Sequence, residues 1–450
     1  MSPLAQLMRA RGHHVQGSDR SFDQGECLEV AAALRQLGIE ITPHDGSAVT
    51  REIDRFVYST AVEPDAPEMR AARARGLTLV PRPALLARVV NQAQPGMAIA
   101  GTSGKSTIAG LVAWLVRETR QRATVLGGAP LAGEVGSGVC VVGPPEGPVV
   151  AEACESDGSL GGYRPALGLI HNISRDHGEL VALRVQFTTF GAHARQLLVH
   201  AGCPEAAAVG RALGALSYGA GPEADLRLEI LTVGPETSRG VLHLPTGPLI
   251  LELPQPGLHT LENAAAAALL AVRLGVEPAA IEALLPRFPG VARRFELVGR
   301  TATGIRVVDD YAHNAAKLRA ALTTAQAGAA RVLAVFQPHG FGPARFLRAE
   351  LRELLPRLLR PQDRFCYAEI FYAGGTVRQD ISSRMLAEDL PATCRAAYAR
   401  DHAAVVEWVL SEARPGDTVL IMGARDPALR RLARAVLEAL EHAAVPALSR

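Results

Sequence analysis

Residues 97–110 read MAIAGTSGKSTIAG, and the fold is decided there. The apolar MAIA predicts a short buried strand. It runs into the turn GTSGKST (101–107), and the apolar run IAGLVAWLVRE (108–118) that follows predicts a long helix. Strand, glycine-rich turn and helix together make a cradle for phosphate. The N–H groups of the turn face inward, and the helix N-terminus adds a partial positive charge. Lys105 is placed to reach β- and γ-phosphates and the Ser106 hydroxyl to ligate Mg²⁺. The general form of such a loop, G-x-x-x-x-G-K-[ST], has glycine where Ile99 stands, so Gly101 supplies the turn here. The stretch predicts a nucleotide site over Gly101, Thr102, Ser103, Gly104, Lys105, Ser106 and Thr107, against the plainer reading of an ordinary strand-to-helix turn.

Upstream of this stretch, the first ninety residues alternate helix and strand. A helix near 3–12 leads to a short strand HHVQGSD, a helix near 27–37 and a strand GIEITP. A buried-looking strand RFVYST, a helix near 65–75 and a strand LTLVP follow. That rhythm predicts a parallel α/β sheet. The polar NQAQPG (91–96) marks a boundary. Downstream, strands are predicted at PVVAEA (148–153) and ALGLIHNI (166–173), a strand-rich patch at 226–253 and a helix at LENAAAAALLAVRLG (261–275). A third segment opens near RRFELVGR. Its strands GIRVVDD (304–310), ARVLAVFQ (330–337) and GDTVLIMG (416–423) predict a doubly wound parallel sheet. The 450 residues therefore divide into three α/β domains, 1–93, 94–296 and 297–450, within the two to four expected at roughly 100–200 residues each.

Composition narrows the function. Acidic and basic residues nearly balance, at a formal net charge of +2, which argues against a nucleic-acid or membrane-surface partner. No run of about 20 apolar residues predicts a membrane span. The opening MSPLAQLMRARGHHV reads as an amphipathic helix rather than a signal peptide, so a cytoplasmic protein is expected. The six cysteines, at 27, 140, 154, 203, 366 and 394, form no C-x-x-C pair and show no zinc spacing. Isolated reduced thiols are expected. Nearly every basic residue is arginine. The chain has two lysines, Lys105 and Lys317, and a lysine kept amid such a drift marks a place where a compact ammonium is needed.

Three further clusters follow apolar strands, at the ends where α/β sheets place ligands. Glu152, Glu155 and Asp157 in VVAEACESD are candidate Mg²⁺ carboxylates. In HNISRDH (171–177), Asn172, Asp176 and His177 crowd a strand end, and His177 is a candidate metal or phosphate ligand. In VVDDYAHNAAK (307–317), Asp309, Asp310, His313, Asn314 and Lys317 do the same in the third segment. For the first and third a solvated loop is the plainer alternative, and for His177 a structural histidine.

Taken in order, GTSGKST, EACESD, NISRDH, the G-x-H-x-x-x-N helix start at 257–263, VARRF, DDYAHN and VFQPH (335–339) resemble the Mur ligases, with the spellings nearest to the alanine-adding members. MSPLAQLMRARGHHVQGSD and VYSTAVEPDAPE are similar to the nucleotide-sugar domain of that family, and the resemblance runs through essentially the whole chain. It implies a Rossmann-like UDP-sugar domain, a P-loop central ATPase and a Rossmann-like C-terminal domain that closes over ATP. It implies an ADP-forming, ATP- and Mg²⁺-dependent ligase that joins L-alanine to the carboxylate of UDP-N-acetylmuramate through an acyl phosphate. The partners implied are small molecules, a UDP-sugar carboxylate and an amino acid. A ligase for a peptide or another carboxylate, and a nucleotide-binding homologue without catalysis, stay open as alternatives.

Residue by residue, the resemblance makes Lys105 a phosphate ligand and Ser106, Glu152 and His177 the metal site. Asn263 becomes an adenine contact and Arg294 a phosphate contact, with Asp310, His313 and Asn314 reaching the nucleotide. Ser59, Thr60, His339 and Arg345 become substrate contacts. The carbamoylated lysine of several other members has no counterpart, since no lysine lies between 105 and 317. The family opens with a strand and a G-x-G-G-x-G loop just ahead of the Met-Ser to which Met1-Ser2 correspond, so the first domain is expected to lack both.

Overall fold

The computed structural model describes residues 1–175, 179–372 and 378–444. The chain separates into two compact units. The first comprises Met1–Val233 with Thr237–Val291, the second Gly234–Glu236 with Ala292–Arg450.

At the start of the first unit, β1 (Gln16–Gly17) pairs in parallel with β2 (Glu40–Ile41), and β3 (Arg55–Tyr58) with β4 (Thr78–Pro81). These are two separate ladders rather than the single sheet that the helix–strand rhythm predicts. Both are short. Pro43 and Pro81 close β2 and β4, and proline has no N–H with which to extend a ladder. The strand expected to be buried, β3, is only half covered.

The rest of the first unit is built on ten strands: β5 (Gly96–Ala100), β6 (Thr124–Leu126), β7 (Cys140–Val141), β8 (Val149–Glu152), β9 (Leu167–Ile170), β10 (Gln196–His200), β11 (Leu216–Gly219), β12 (Leu226–Val233), β13 (Ser238–Leu244) and β14 (Gly247–Leu253). Their order is 14-13-12-11-10-9-5-8-6-7. The run from β12 to β6 is parallel. β7 adds an antiparallel edge on one side, and β13 and β14 an antiparallel meander on the other.

Because successive side chains of a strand face opposite ways, β5 serves two cores. Met97 and Ile99 join one core with the helices Lys105–Glu118 and Leu258–Arg273. Ala98 and Ala100 join the other, with Arg82–Gln92, Leu180–His193 and Pro204–Leu213. Burial on both faces is why the parallel strands read as continuous apolar runs. Helix Leu258–Arg273 presents Ala264 to Ala268, all at most 1% exposed, to the same core as helix Lys105–Glu118. Side chains this small let two helices and a sheet approach closely.

The second unit holds β15 (Glu296–Arg300), β16 (Arg306–Asp310), β17 (Val332–Gln337), β18 (Arg364–Ala368), β19 (Ala396–Ala399) and β20 (Thr418–Gly423), in the order 15-16-20-17-18-19. All pairs are parallel except β15 with β16. Helices Ala315–Ala327 and Phe341–Leu358 cover one face. His402–Glu412 and Leu429–Ala444 cover the other. Among the described residues, no helix is long and apolar enough to cross a membrane.

Enlarging one alanine of the seam should strain it. Ala267→Leu is expected to lower stability by about 1–3 kcal/mol through overpacking. Urea unfolding followed by the fluorescence of Trp114, whose indole N–H donates to the Leu284 carbonyl at 3.3 Å, reads this. An unchanged midpoint would mean that the seam has slack.

Candidate functional site

Strand β5 ends at Ala100, and helix Lys105–Glu118 begins after the four residues 101–104. Gly101 and Gly104 make the turn at φ +150° and +84°, backbone that side-chain-bearing residues rarely adopt. Gly104 is fixed twice over. A Cβ there would stand 2.4 Å from Asn263 Oδ1 and 2.8 Å from His171 Cδ2. Asn172, just past β9, clasps the turn: its Oδ1 accepts the Ser103 N–H at 2.7 Å and its amide donates to the Ser103 carbonyl at 3.2 Å. Thr102 donates its N–H to the Asn172 carbonyl at 3.0 Å, and its hydroxyl donates to the Ser174 carbonyl at 3.2 Å. The N-cap residue of the 14-residue helix is Gly104, which has no side chain to cap it, and a helix N-terminus turns N–H dipoles and a partial positive charge toward an anion.

Lys105 and Ser106 open the helix. The Lys105 ammonium donates to Glu155 Oε2 at 2.6 Å and to the Gly101 carbonyl. It is 7% exposed and Glu155 is 3% exposed. Burial acts to lower the lysine pKa, but Glu155, with Cys154 and Glu152 behind it, raises it above the usual value. Ser106 donates its hydroxyl to Glu152 Oε1 at 3.2 Å, and Glu152 Oε2 accepts the Gly128 N–H at 2.8 Å.

The three acids of the EACESD stretch thus have three different partners. Asp157 pairs with Arg82 at 3.2 Å, leaving Glu152 as the carboxylate beside the Ser106 hydroxyl. Two oxygens about 3 Å apart suit neighbouring positions on an octahedral Mg²⁺ with bonds of about 2.0–2.1 Å, so Ser106 and Glu152 fit the ion expected there. Among the described residues no group of three or more His, Cys, Asp or Glu could hold a metal. Asp176 and His177, the latter the expected third ligand, lie outside the described residues.

A buried column that no motif marks stands behind the loop. His171 shares its Nδ1 with the Tyr218 hydroxyl at 2.6 Å and stacks on His200 at 5.2 Å. His200 Nε2 lies 3.3 Å from Glu262 Oε1. Burial, reinforced by His200, His259 and Lys105, pulls the His171 pKa down to about 3, so its imidazole is neutral. His171 heads the HNISRDH motif at the end of an apolar strand, and that position was the signal that could have singled it out. Asn263, expected at the adenine, sits against Gly104, and its buried Oδ1 accepts no hydrogen bond among the described residues.

In the second unit the expected residues gather at the C-terminal ends of β16, β17 and β20. Arg293 bonds Asp309 at 3.2 Å and the Gly423 carbonyl at 2.8 Å, tying β16 to β20. Burial pushes the fully enclosed Asp309 carboxyl up to about 6, with Arg293 opposing. Arg294 lies over the Tyr311 ring at 5.0 Å. Asp310 accepts the N–H groups of Phe295 and Ala312, each at 2.7 Å, and so shapes the turn. Asn314 caps helix Ala315–Ala327 by accepting the Lys317 N–H at 2.9 Å. His313 faces the Lys317 ammonium at 3.3 Å and meets His339 edge-on at 5.0 Å. Arg345, one turn into helix Phe341–Leu358, pairs with Asp380 at 2.5 Å and donates to the Arg378 carbonyl at 2.8 Å. Ser59 and Thr60 follow β3, and Ser59 Oγ accepts the Ala61 N–H at 3.3 Å.

Known proteins resemble this chain over most of its length. Residues 1–94 match the family model described as Mur ligase family, catalytic domain, and residues 293–425 that described as Mur ligase, glutamate ligase domain. The UDP-N-acetylmuramate–L-alanine ligase of Kineococcus radiotolerans is 34% identical over 445 residues, 95% of this chain and 91% of that protein. The protein of the same name from Thermobifida fusca is 32% identical over 98% of this chain and 94% of its own. Among solved structures, UDP-N-acetylmuramate-alanine ligase MurC from Thermotoga maritima shares the fold at a TM-score of 0.76 and 24% identity, covering 98% of this chain and 97% of its own. The murein peptide ligase Mpl from Psychrobacter arcticus does so at 0.67 and 20%, covering 98% and 96%.

Two outcomes follow from the loop and its column. Gly104→Ala is expected to abolish nucleotide binding in a chain that still folds, because the added methyl would collide with Asn263 and His171. Calorimetric titration with ATP checks this, and wild-type affinity would contradict it. The buried, neutral His171 predicts acid sensitivity. Its folded pKa is depressed, so the unfolded chain takes the proton first, and stability falls as pH drops below about 6.5, by about 1.4 kcal/mol per unit, until about 3. Urea midpoints between pH 7.5 and 4.5 should fall more steeply in the wild type than in His171→Gln, and equal slopes would rule out that source.

Proposed function

This chain belongs to the Mur ligase family, and from that premise we propose that it is an ATP-dependent ligase joining the amino group of L-alanine to the carboxylate of UDP-N-acetylmuramate in peptidoglycan precursor synthesis. The substrates follow those named for its relatives. The observation that carries the nucleotide half of the reading is the Ser106 hydroxyl beside Glu152, one residue from Lys105 at an uncapped helix start. We propose the division 1–93 for UDP-sugar binding, 94–296 for ATP and 297–450 for the C-terminal ligase domain, acting on small-molecule substrates in the cytoplasm.

A carboxylate resists attack by an amine because it would have to expel oxide. Transfer of the γ-phosphoryl group to a carboxylate oxygen replaces that leaving group with phosphate. The amine then forms the C–N bond, phosphate departs, and the nitrogen loses its proton. The protein's part in phosphoryl transfer is positioning and charge. The backbone donors of the loop and the Lys105 ammonium would bear on the phosphate oxygens. Ser106 and Glu152 would hold Mg²⁺, with His177 proposed beside them, and the ion supplies charge neutralisation when bound. Asn263 is proposed as an adenine contact, Arg294, Asp310, His313 and Asn314 as nucleotide contacts, and Ser59, Thr60, His339 and Arg345 as substrate contacts.

Lys105→Ala is expected to abolish turnover, at a cost to the barrier of at least about 3–4 kcal/mol. Phosphate release with ATP, UDP-N-acetylmuramate and L-alanine measures it, with a peptide amine as the comparison. Near-normal release by the variant would refute the role of Lys105, and release with the peptide alone would move the substrate to peptides.

A further inference from the structure

Among the described residues, the side chains that act on Lys105 do not add up to a positive site. The groups acting most on Lys105 are Glu155, Cys154 and Glu152. One positive charge therefore faces two carboxylates. Arg82 is taken up by Asp157 at 3.2 Å, and His171 is neutral. The helix start contributes only about half a positive charge.

The pairing of Lys105 decides how this balance is felt. Its ammonium has three N–H donors. Glu155 at 2.6 Å takes one and the Gly101 carbonyl another, which leaves one for a phosphate oxygen. The pair is buried on both sides, at 7% and 3% exposure. Separating it would leave an uncompensated charge inside the protein, so it stays intact when an anion enters. A nucleoside triphosphate in the loop then meets a lysine whose charge is already matched, with Glu152 unmatched beside it. A metal-free triphosphate is repelled. One that brings a divalent cation supplies the missing charge and gives Glu152 and Ser106 something to hold.

We propose that Glu155 is a positioning residue that makes the loop selective for the metal-complexed nucleoside triphosphate over the metal-free one, through its standing ion pair with Lys105. This rests on the reading of the loop as a nucleoside triphosphate site. Calorimetric titration of the full chain with ATP in Mg²⁺, and with ATP in excess chelator, tests it. The wild type is expected to prefer the Mg²⁺ complex by about 100-fold or more, and Glu155→Gln to tighten metal-free binding by at least about tenfold while changing the Mg²⁺ complex by less than about threefold. A merely supporting Glu155 would weaken both. Metal-free affinity unchanged or lowered in Glu155→Gln overturns the proposal. Glu155→Ser is read in the same way if the glutamine variant does not fold. A wild type that binds metal-free ATP within tenfold of the complex overturns it without any variant. Absence of ATP binding by the wild type under both conditions would instead overturn the nucleotide site itself, and Lys105→Ala binding as well as the wild type in Mg²⁺ would separate the lysine from that site.

Discussion

An ammonium and a carboxylate sealed together under the Gly101–Gly104 turn are the constraint on which the first unit is arranged. Neither Lys105 nor Glu155 could be buried alone, since an unpaired ion in a protein interior is strongly destabilising. Their meeting requires β5 and β8 to be neighbours, in parallel and in register, so that both strands end at the same edge. The pairing of Ile99 with Glu152 supplies this. Once that edge is set, Ser106 falls beside Glu152, and Asn172 reaches across from β9 to hold the turn. The position of each polar group thus follows from strand order and from apolar cores on both faces of the sheet.

The second unit uses the same device with other chemistry. Its parallel strands also end in polar residues, and a buried ion pair, Arg293 with Asp309, again fixes the edge. The expected residues there divide by task. Asp310 and Asn314 spend their acceptors on backbone N–H groups of the turn and helix start. His313, His339 and Lys317 make a basic, aromatic corner.

The strand, turn and helix at Gly96–Glu118 were legible because an apolar strand, two glycines and a long apolar run follow one another there, and because the residue that breaks the general phosphate-loop pattern, Ile99, belongs to the strand and is wholly buried. The doubly wound second unit was legible for a related reason, since strands buried on both faces leave unbroken apolar runs. The different tasks of Glu152, Glu155 and Asp157 were not legible. They lie within six residues, and only the fold shows that one faces a serine, one a lysine and one an arginine. The column of His171, Tyr218, His200 and Glu262 joins the ends of β9 and β10, the third residue of β11 and a helix, so no local spacing announces it. The two ladders of the first ninety residues were misread as one sheet because alternation of helix and strand says nothing about which strands pair.

The alanine run of helix Leu258–Arg273 has a consequence for rigidity. Alanine has no side-chain torsion to freeze, so this seam forms at almost no rotamer entropy cost. Equally, it holds no flexible atoms that could rearrange to absorb a shift. Asn263 stands at the head of that run and Gly104 lies against it. What the loop meets there is the Asn263 side chain rather than the alanine run behind it, so the one group with torsional freedom at that end of the helix is the one set against the turn.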